Sequence, residues 1–173
     1  MVSSSVPQQN NGMNVAQYNR CVELYSDGIF RFALKMLRSD ALAQDCVQDC
    51  FERLWLHHSE VDFDCAKSYL FTSAHHGAID AIRREKHRID YLQQLPLAPT
   101  VHTQSPDLSD LLNRLAEQLP DVQRSVLMLR DYEGYAYEEI AQITGLTMSQ
   151  VKVYIYRARL FMKERLVCID AVV

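Results

Sequence analysis

Two groups of residues carry types and spacings that could do chemistry. In ALAQDCVQDCFERLWL, the residues Asp45, Gln48, Asp49 and Glu52 recur at i, i+3, i+4 and i+7, so a helix there displays them as one acidic stripe opposite Ala43, Val47, Cys50, Phe51 and Leu54. Like charges four residues apart weaken an isolated helix by roughly a few tenths of a kcal/mol, so helix stability does not explain the stripe. It either seats a basic partner helix or is a solvated face. The second group is Cys46 and Cys50, with the pairs His57-His58 and His75-His76, and separately Asp45/Asp49 and Asp62/Asp64 could serve as paired carboxylates. A metal site could be drawn from these, but Cys50 falls on the apolar face with Cys46 at its edge, which favours core packing. No phosphate loop, nucleophile elbow or HExxH accompanies the carboxylates. The expectation is no metal, no cofactor and no enzyme.

Two further stretches suit nucleic acid. In KSYLFTSAHHGAIDAIRREKHR, covering 67–88, helical spacing buries Leu70, Ala74, Ala78, Ala81 and Ile82 and places Tyr69, Thr72, His76, Asp80, Arg83 and His87 on the opposite side. Arg83, Arg84, Lys86 and Arg88 gather positive charge at its end. Aromatic Tyr69 and Phe71 with downstream cations are the ingredients of single-strand binding, where rings stack on bases and cations hold phosphates. The alternative is cations that complement the negative end of the helix dipole.

In YEEIAQITGLTMSQVKVYIYRARL, a short helix meets Gly145, and Thr147 with Gln150 forms a capping box that starts the last helix. This is a helix-turn-helix pattern. Val151, Ile155, Ala158 and Met162 point inward, while Ser149, Lys152, Val153 and Tyr156, flanked by Gln150 and Arg157, form the outer face. Lys152 and Arg157 can meet phosphates or guanine edges, and Ser149 or Gln150 a base edge. Leu160 lies at the centre of the same face, so the DNA-facing stretch is expected to end before it. A solvated bundle helix is the alternative, and the cap, the glycine turn and the basic edges together favour DNA.

These helices must be positioned by a chain of 173 residues with 48% hydrophobic and 23% charged residues and a formal charge of −4. That balance is globular, with room for one or two small domains. Lys+Arg against Asp+Glu count 10 to 12 before residue 93 and 8 to 10 after it, so neither half is basic in bulk. The polar amino end lacks a signal-peptide pattern, and no stretch is apolar enough for a membrane span, so a soluble cytoplasmic protein without membrane insertion is expected. Five cysteines without a CxxC pair argue against a disulfide framework or a zinc ribbon.

Five glycines and three- and four-residue apolar spacings make the fold all-α, as two small helical domains joined by an extended linker. Residues 1–13 read as a disordered tail, 14–88 as the first domain with breaks near Ser39-Asp40 and Asp62 to Asp64, and 89–107 as a proline-bearing linker. Residues 108–168 read as a second domain of four helices: one ending at Leu119, one opening at Pro120, one at Tyr137 to Thr144, and one from Thr147 onward. Residues 169–173 read as a tail.

Five blocks in order, YSDGIFRFALKML, DALAQDCVQDCFERLW, KSYLFTSAHHGAIDAIRR, LPDVQRSVLMLRDYEGYAYEEIA and VKVYIYRARL, make the chain resemble the extracytoplasmic-function group of bacterial RNA polymerase sigma factors. The resemblance implies a region 2-like domain followed by a region 4-like domain. It implies that Asp45, Gln48, Asp49 and Glu52 grip the clamp helices of the polymerase β′ subunit, and that the second domain meets the β flap. Tyr69, Thr72, His76, Asp80, Arg83, Arg84 and His87 would engage the minus-ten element of promoter DNA. Ser149, Gln150, Lys152, Val153, Tyr156 and Arg157 would read the minus-thirty-five element. The linker would thread toward the active-site channel, and an anti-sigma factor is an expected partner.

The chain departs from the family pattern in four places. Tyr69 replaces a frequent Trp and His76 a frequent Asn, so the family's minus-ten base rules do not carry over; Val153 and Tyr154 replace a common Ser and Arg, so base preference of the region 4-like helix leans on apolar contact or on DNA shape. A different class, a helix-turn-helix regulator binding an operator as a dimer, stays as the alternative.

Overall fold

The computed structural model describes residues 12–93 and 108–170. Helix α1 spans Val15–Leu37. The Asn14 side chain accepts from the Gln17 N–H at 2.9 Å, and the Gln17 side chain accepts from the Asn14 N–H at 3.0 Å. Two amide groups that the first turn leaves without helical partners are thereby satisfied. Ser39 caps α2, Asp40–Leu56, by accepting from the Leu42 N–H at 3.3 Å. A single 3-10 turn at Phe63–Cys65 leads into α3, Ala66–Gln93.

The first core forms where these three helices meet. Ile29, Phe32 and Met36 of α1, Ala43, Cys50 and Leu54 of α2, and Leu70, Ala74 and Ala78 of α3 are all buried. Cys46 joins them at 8% exposure, whereas Val47, expected on the apolar face, is only half-buried. The difference arises because α2 lies between α1 and α3: the Cys46 sulfur packs 4.0 Å from the Ala74 carbonyl oxygen of α3.

Order begins earlier than the expected tail boundary. Met13 is buried, and its N–H donates to the His58 carbonyl at 2.6 Å. Residues 1–11 lie outside the described residues.

The second set of helices begins with α4, Leu108–Glu117, and α5, Asp121–Leu127, whose last turn widens into a π turn at Met128–Tyr132. The sequence pattern carries no sign of that widening. Gly134, at φ 73°, reverses the chain into α6, Tyr137–Thr144. Gly145, at φ 70°, supplies the tight turn into α7, Met148–Asp170. Helix α3 runs to Gln93, past Arg88 where the linker was expected to start, and α7 reaches Asp170, past the expected end at 168. The rest of the linker expectation, 94–107, lies outside the described residues.

The two sets of helices are docked on each other through α3. Its buried stripe is wider than one helix contact needs: Phe71, His75 and Ile79 are buried in addition to Leu70, Ala74 and Ala78, while Ala81 and Ile82, expected inside, are half-buried. Phe71 packs on Tyr135 with ring centres 4.8 Å apart, and the His75 Nδ1 lies 2.7 Å from the Ser125 Oγ. Around this contact run the ion pairs Arg31–Glu133 at 3.0 Å, Lys67–Glu139 at 3.0 Å and Lys86–Asp121 at 2.9 Å. Each of these pairs keeps its cation exposed and contributes only on the order of 1 kcal/mol, so the apolar contact carries the docking.

The Arg124 guanidinium is buried and donates to the Lys35 carbonyl at the end of α1, while its Nε has no hydrogen-bond partner among the described residues. Among the described residues there is no strand, and no helix is long and apolar enough to cross a membrane.

Candidate polymerase and promoter interface

Helix α2 presents its acidic stripe outward. Asp45, Gln48, Asp49 and Glu52 are exposed, and none of them pairs with a cation among the described residues. Asp45, Gln48 and Asp49 line a groove of about 450 Å³ between α2 and α3, whose far wall includes Ser73, Asp80 and Arg84. Arg53 bridges the two helices by donating to the Ser73 hydroxyl at 3.4 Å. Cys46 and Cys50 lie at this groove too, and the hydrogen bond to Cys50, with burial, raises the Cys46 thiol pKa. A protonated, buried Cys46 thiol in a packed helix contact is structural. No group of three or more His, Cys, Asp or Glu able to hold a metal occurs among the described residues.

Helix α3 divides its expected DNA residues between two places. Tyr69 and Thr72, both half-buried, line a groove of about 470 Å³ with Asp62, Cys65 and Ser68, which Gln142 of α6 closes on one side. Burial raises the Tyr69 phenol, which stays protonated and able to donate. Asp80 and Arg84 face the α2 groove, and His76, Arg83 and His87 are exposed.

Phe71 is not among the exposed rings. It is 2% exposed, between Phe32 and Tyr135, and so belongs to the core. His75, adjacent to His76, is buried as well, and burial with His76 and Arg83 nearby pushes its pKa down to about 4. A single helical period could not show either placement, because the second buried stripe exists only through α5, the π turn and α6.

Helix α7 is built for contact on one face. Val151, Ile155 and Ala158 are buried, together with Ile140 and Ile143 of α6, which fixes the helix-turn-helix, and Met162 is half-buried. Ser149, Gln150, Lys152, Val153, Tyr156 and Arg157 are all exposed. Thr147 closes its capping box: the Gln150 Oε1 accepts from the Thr147 N–H at 2.9 Å, and the Thr147 Oγ1 accepts from the Gln150 N–H at 3.3 Å. The Gln150 carbonyl oxygen is thus engaged locally, and its amide nitrogen is the part that can reach a base.

Lys152 and Tyr156 also border a groove of about 450 Å³ with Tyr137, Arg159, Leu160 and Lys163. The outer-face reading of the sequence included neither Tyr137 nor Lys163. Lys163 follows Lys152 by three helical turns, which is the signal that could have found it; Tyr137 had none, since it comes from α6.

The sequence matches the family model for Sigma-70 region 2 over residues 21–88 and that for Sigma-70 region 4 over residues 109–162. The chain belongs to the sigma-70 family. Among curated relatives, this sigma factor is 28% identical over 142 residues to the ECF RNA polymerase sigma factor SigM of Bacillus subtilis, covering 79% of this chain and 87% of that protein. It is 29% identical over 131 residues to the ferric citrate uptake sigma factor FecI of Escherichia coli, covering 72% of this chain and 76% of that protein.

Solved sigma factors share its fold. RpoE from Bartonella quintana, in complex with the anti-sigma factor NepR, superposes with a TM-score of 0.71 at 23% identity over 88% of this chain and 98% of that one. CnrH, in complex with the cytosolic domain of CnrY, gives 0.69 at 20% identity over 90% of each chain. This is an alternative sigma factor of the extracytoplasmic-function group, the kind of subunit that binds core RNA polymerase and directs it to promoter DNA. The operator-binding regulator is not favoured. Sigma factors are in general non-catalytic.

Proposed function

We propose that the sigma factor divides its work among three exposed faces. Asp45, Gln48, Asp49 and Glu52 on α2 hold the β′ clamp helices. The α3 residues Tyr69, Thr72, His76, Asp80, Arg83, Arg84 and His87 take the minus-ten strand, and α7 reads the minus-thirty-five element through Ser149, Gln150, Lys152, Val153, Tyr156 and Arg157. The observation that carries this reading is the acidic stripe, which is exposed and unpaired with cations on a helix whose opposite face is packed. Carboxylates that hold no ion pair among the described residues can pair with a basic partner helix without breaking one.

Strand opening then follows from differential binding. The groove holding Tyr69 and Thr72 offers a ring and a hydroxyl to an unstacked base, and Arg83 and Arg84 can meet phosphates. An interaction made with the unpaired strand and not with the duplex shifts the equilibrium toward melted DNA. The protein makes and breaks no covalent bond in this account and works in the cytoplasm.

The segments 14–88 and 108–168 act as polymerase-plus-minus-ten and minus-thirty-five modules joined by 89–107, the second meeting the β flap. An anti-sigma factor that covers the polymerase-binding faces is the proposed regulator, as the likeness to RpoE bound to NepR suggests. The test is co-purification with core RNA polymerase followed by transcription in vitro from a genomic fragment library. Asp49→Arg and Gln48→Ala are expected to lose the polymerase; full retention by both would remove the assignment of α2.

A further inference from the structure

Helix α7 shows solvent more apolar surface than a soluble helix needs. Val153 is 42% exposed, Tyr156 67% and Leu160 41%, and their i, i+3, i+7 spacing lines them up opposite the buried Val151, Ile155 and Ala158. Single exposed apolar residues are ordinary, but a continuous stripe on one helix face marks a contact. Its flanks are cationic: Lys152 and Arg157 are exposed beside it, and Lys163 lies farther along. Cations at the edges with an apolar centre complement a surface that is anionic at its rims and apolar within, and a major groove bordered by phosphates is such a surface.

In that groove the bases present hydrogen-bonding atoms, with one exception, the C5 methyl of thymine. The Val153 side chain has nothing to offer a donor or an acceptor. At 1.5 Å of rise per residue it sits about 7 to 8 Å from the start of α7, within the amino-terminal part of a recognition helix that reaches base edges. Tyr156 follows about 4.5 Å farther along the axis, close to one base step. Leu160 is about 10 Å beyond Val153, in the side groove with Tyr137 and Lys163, where the helix leaves the bases.

We infer that Val153 reads a thymine of the upstream promoter element by packing against its C5 methyl, with the Tyr156 ring covering the neighbouring base step. This rests on the reading of α7 as the upstream-element helix. It adds that specificity at one position is apolar, without a hydrogen bond, and that the recognised group is a single methyl.

The experiment uses the full chain assembled with core RNA polymerase on a promoter selected from the fragment library. Each thymine of the upstream element is replaced in turn by deoxyuridine, which deletes the methyl and keeps every hydrogen-bonding group. At one position the wild-type holoenzyme should lose about fourfold in open-complex formation, the factor for one buried methyl-sized group. Val153→Ala should show no further loss from deoxyuridine at that position, while the other thymines keep their wild-type response. Adding a methyl back, as 5-methylcytosine paired with guanine at the same site, should partly restore binding relative to unmodified cytosine. Transcription that is indifferent to every methyl, or a Val153→Ala response identical to wild type, overturns this inference and leaves the sigma-factor reading standing. A holoenzyme whose promoter choice does not depend on the upstream element overturns both this inference and the role given to α7.

Discussion

The imidazole of His75 on α3 and the hydroxyl of Ser125 on α5 meet 2.7 Å apart in a buried contact between two helices 50 residues apart in the chain. Because burial holds the ring neutral, with a pKa pushed down to about 4 against 6.5 for a free imidazole, the unfolded chain binds the proton first. The contribution of His75 is therefore complete above about pH 6.5 and is lost as pH falls toward 4, at about 1.4 kcal/mol per pH unit within that window. Thermal midpoints followed from pH 7 to pH 4 should fall more steeply for the wild type than for His75→Gln. Equal slopes would mean that the ring is not held neutral by its surroundings.

Phe71 and Tyr69 lie two residues apart and should fail differently. Phe71→Ala empties a site between Phe32 and Tyr135 and should cost about 3 to 5 kcal/mol of stability in denaturant unfolding. Tyr69→Ala, at the half-buried groove, should leave stability within about 1 kcal/mol of wild type and impair promoter opening read by permanganate reactivity of unpaired thymines.

The capping box of α7 sets the start of the recognition helix. Thr147→Ala removes the hydroxyl that accepts from the Gln150 N–H and should cost about 1 kcal/mol, seen as a lower thermal midpoint. Thr147→Ser should retain most of it.

Gly12 touches its neighbour so closely that a Cβ there would stand 2.4 Å from the Ser59 backbone. Gly12→Ala should displace the segment that carries Met13 into the core, and faster amide exchange at Met13, whose N–H donates to the His58 carbonyl, would report it.

With a net charge of −4, the isolated protein should bind promoter DNA weakly and with strong salt dependence, and depend on polymerase to bring both reading faces to DNA together. In the holoenzyme, Lys152→Ala and Arg157→Ala should each reduce the slope of log affinity against log salt by about 1 where the side chain meets a phosphate. An unchanged slope for either would remove it from the backbone contacts.

Local signals made most of this molecule legible from its sequence. The Thr147–Gln150 cap, Gly145 and the apolar period of α7 are contained within one stretch of chain, and the exposed acidic stripe of α2 follows from spacing alone. What a sequence period cannot express is a helix buried on two sides. His75 falls off the stripe that faces α1 and α2, and Phe71 sits at its edge against Phe32 of α1; the arrival of Tyr135 and Ser125 completes their burial. The same reason makes Cys46, not Val47, the deeper residue of α2. The π turn at Met128–Tyr132 escaped because widening by one residue leaves the apolar composition unchanged. The Asn14–Gln17 cap, by contrast, is a local N-x-x-Q signal legible in the sequence itself.

The docking of α3 against α5 and α6 has a geometric consequence on a promoter. Elements named for positions ten and thirty-five are separated by roughly 85 Å of B-form duplex at 3.4 Å per base pair, whereas a globule of this size is only on the order of 40 Å across. Residues 94–107, drawn out fully, reach on the order of 50 Å. With α3 and α7 on these two elements, as proposed, the molecule as folded is too short a ruler for both, and Phe71 is expected to leave Tyr135 before both are occupied, so that the strength of that handshake lowers promoter affinity below the sum of its two halves.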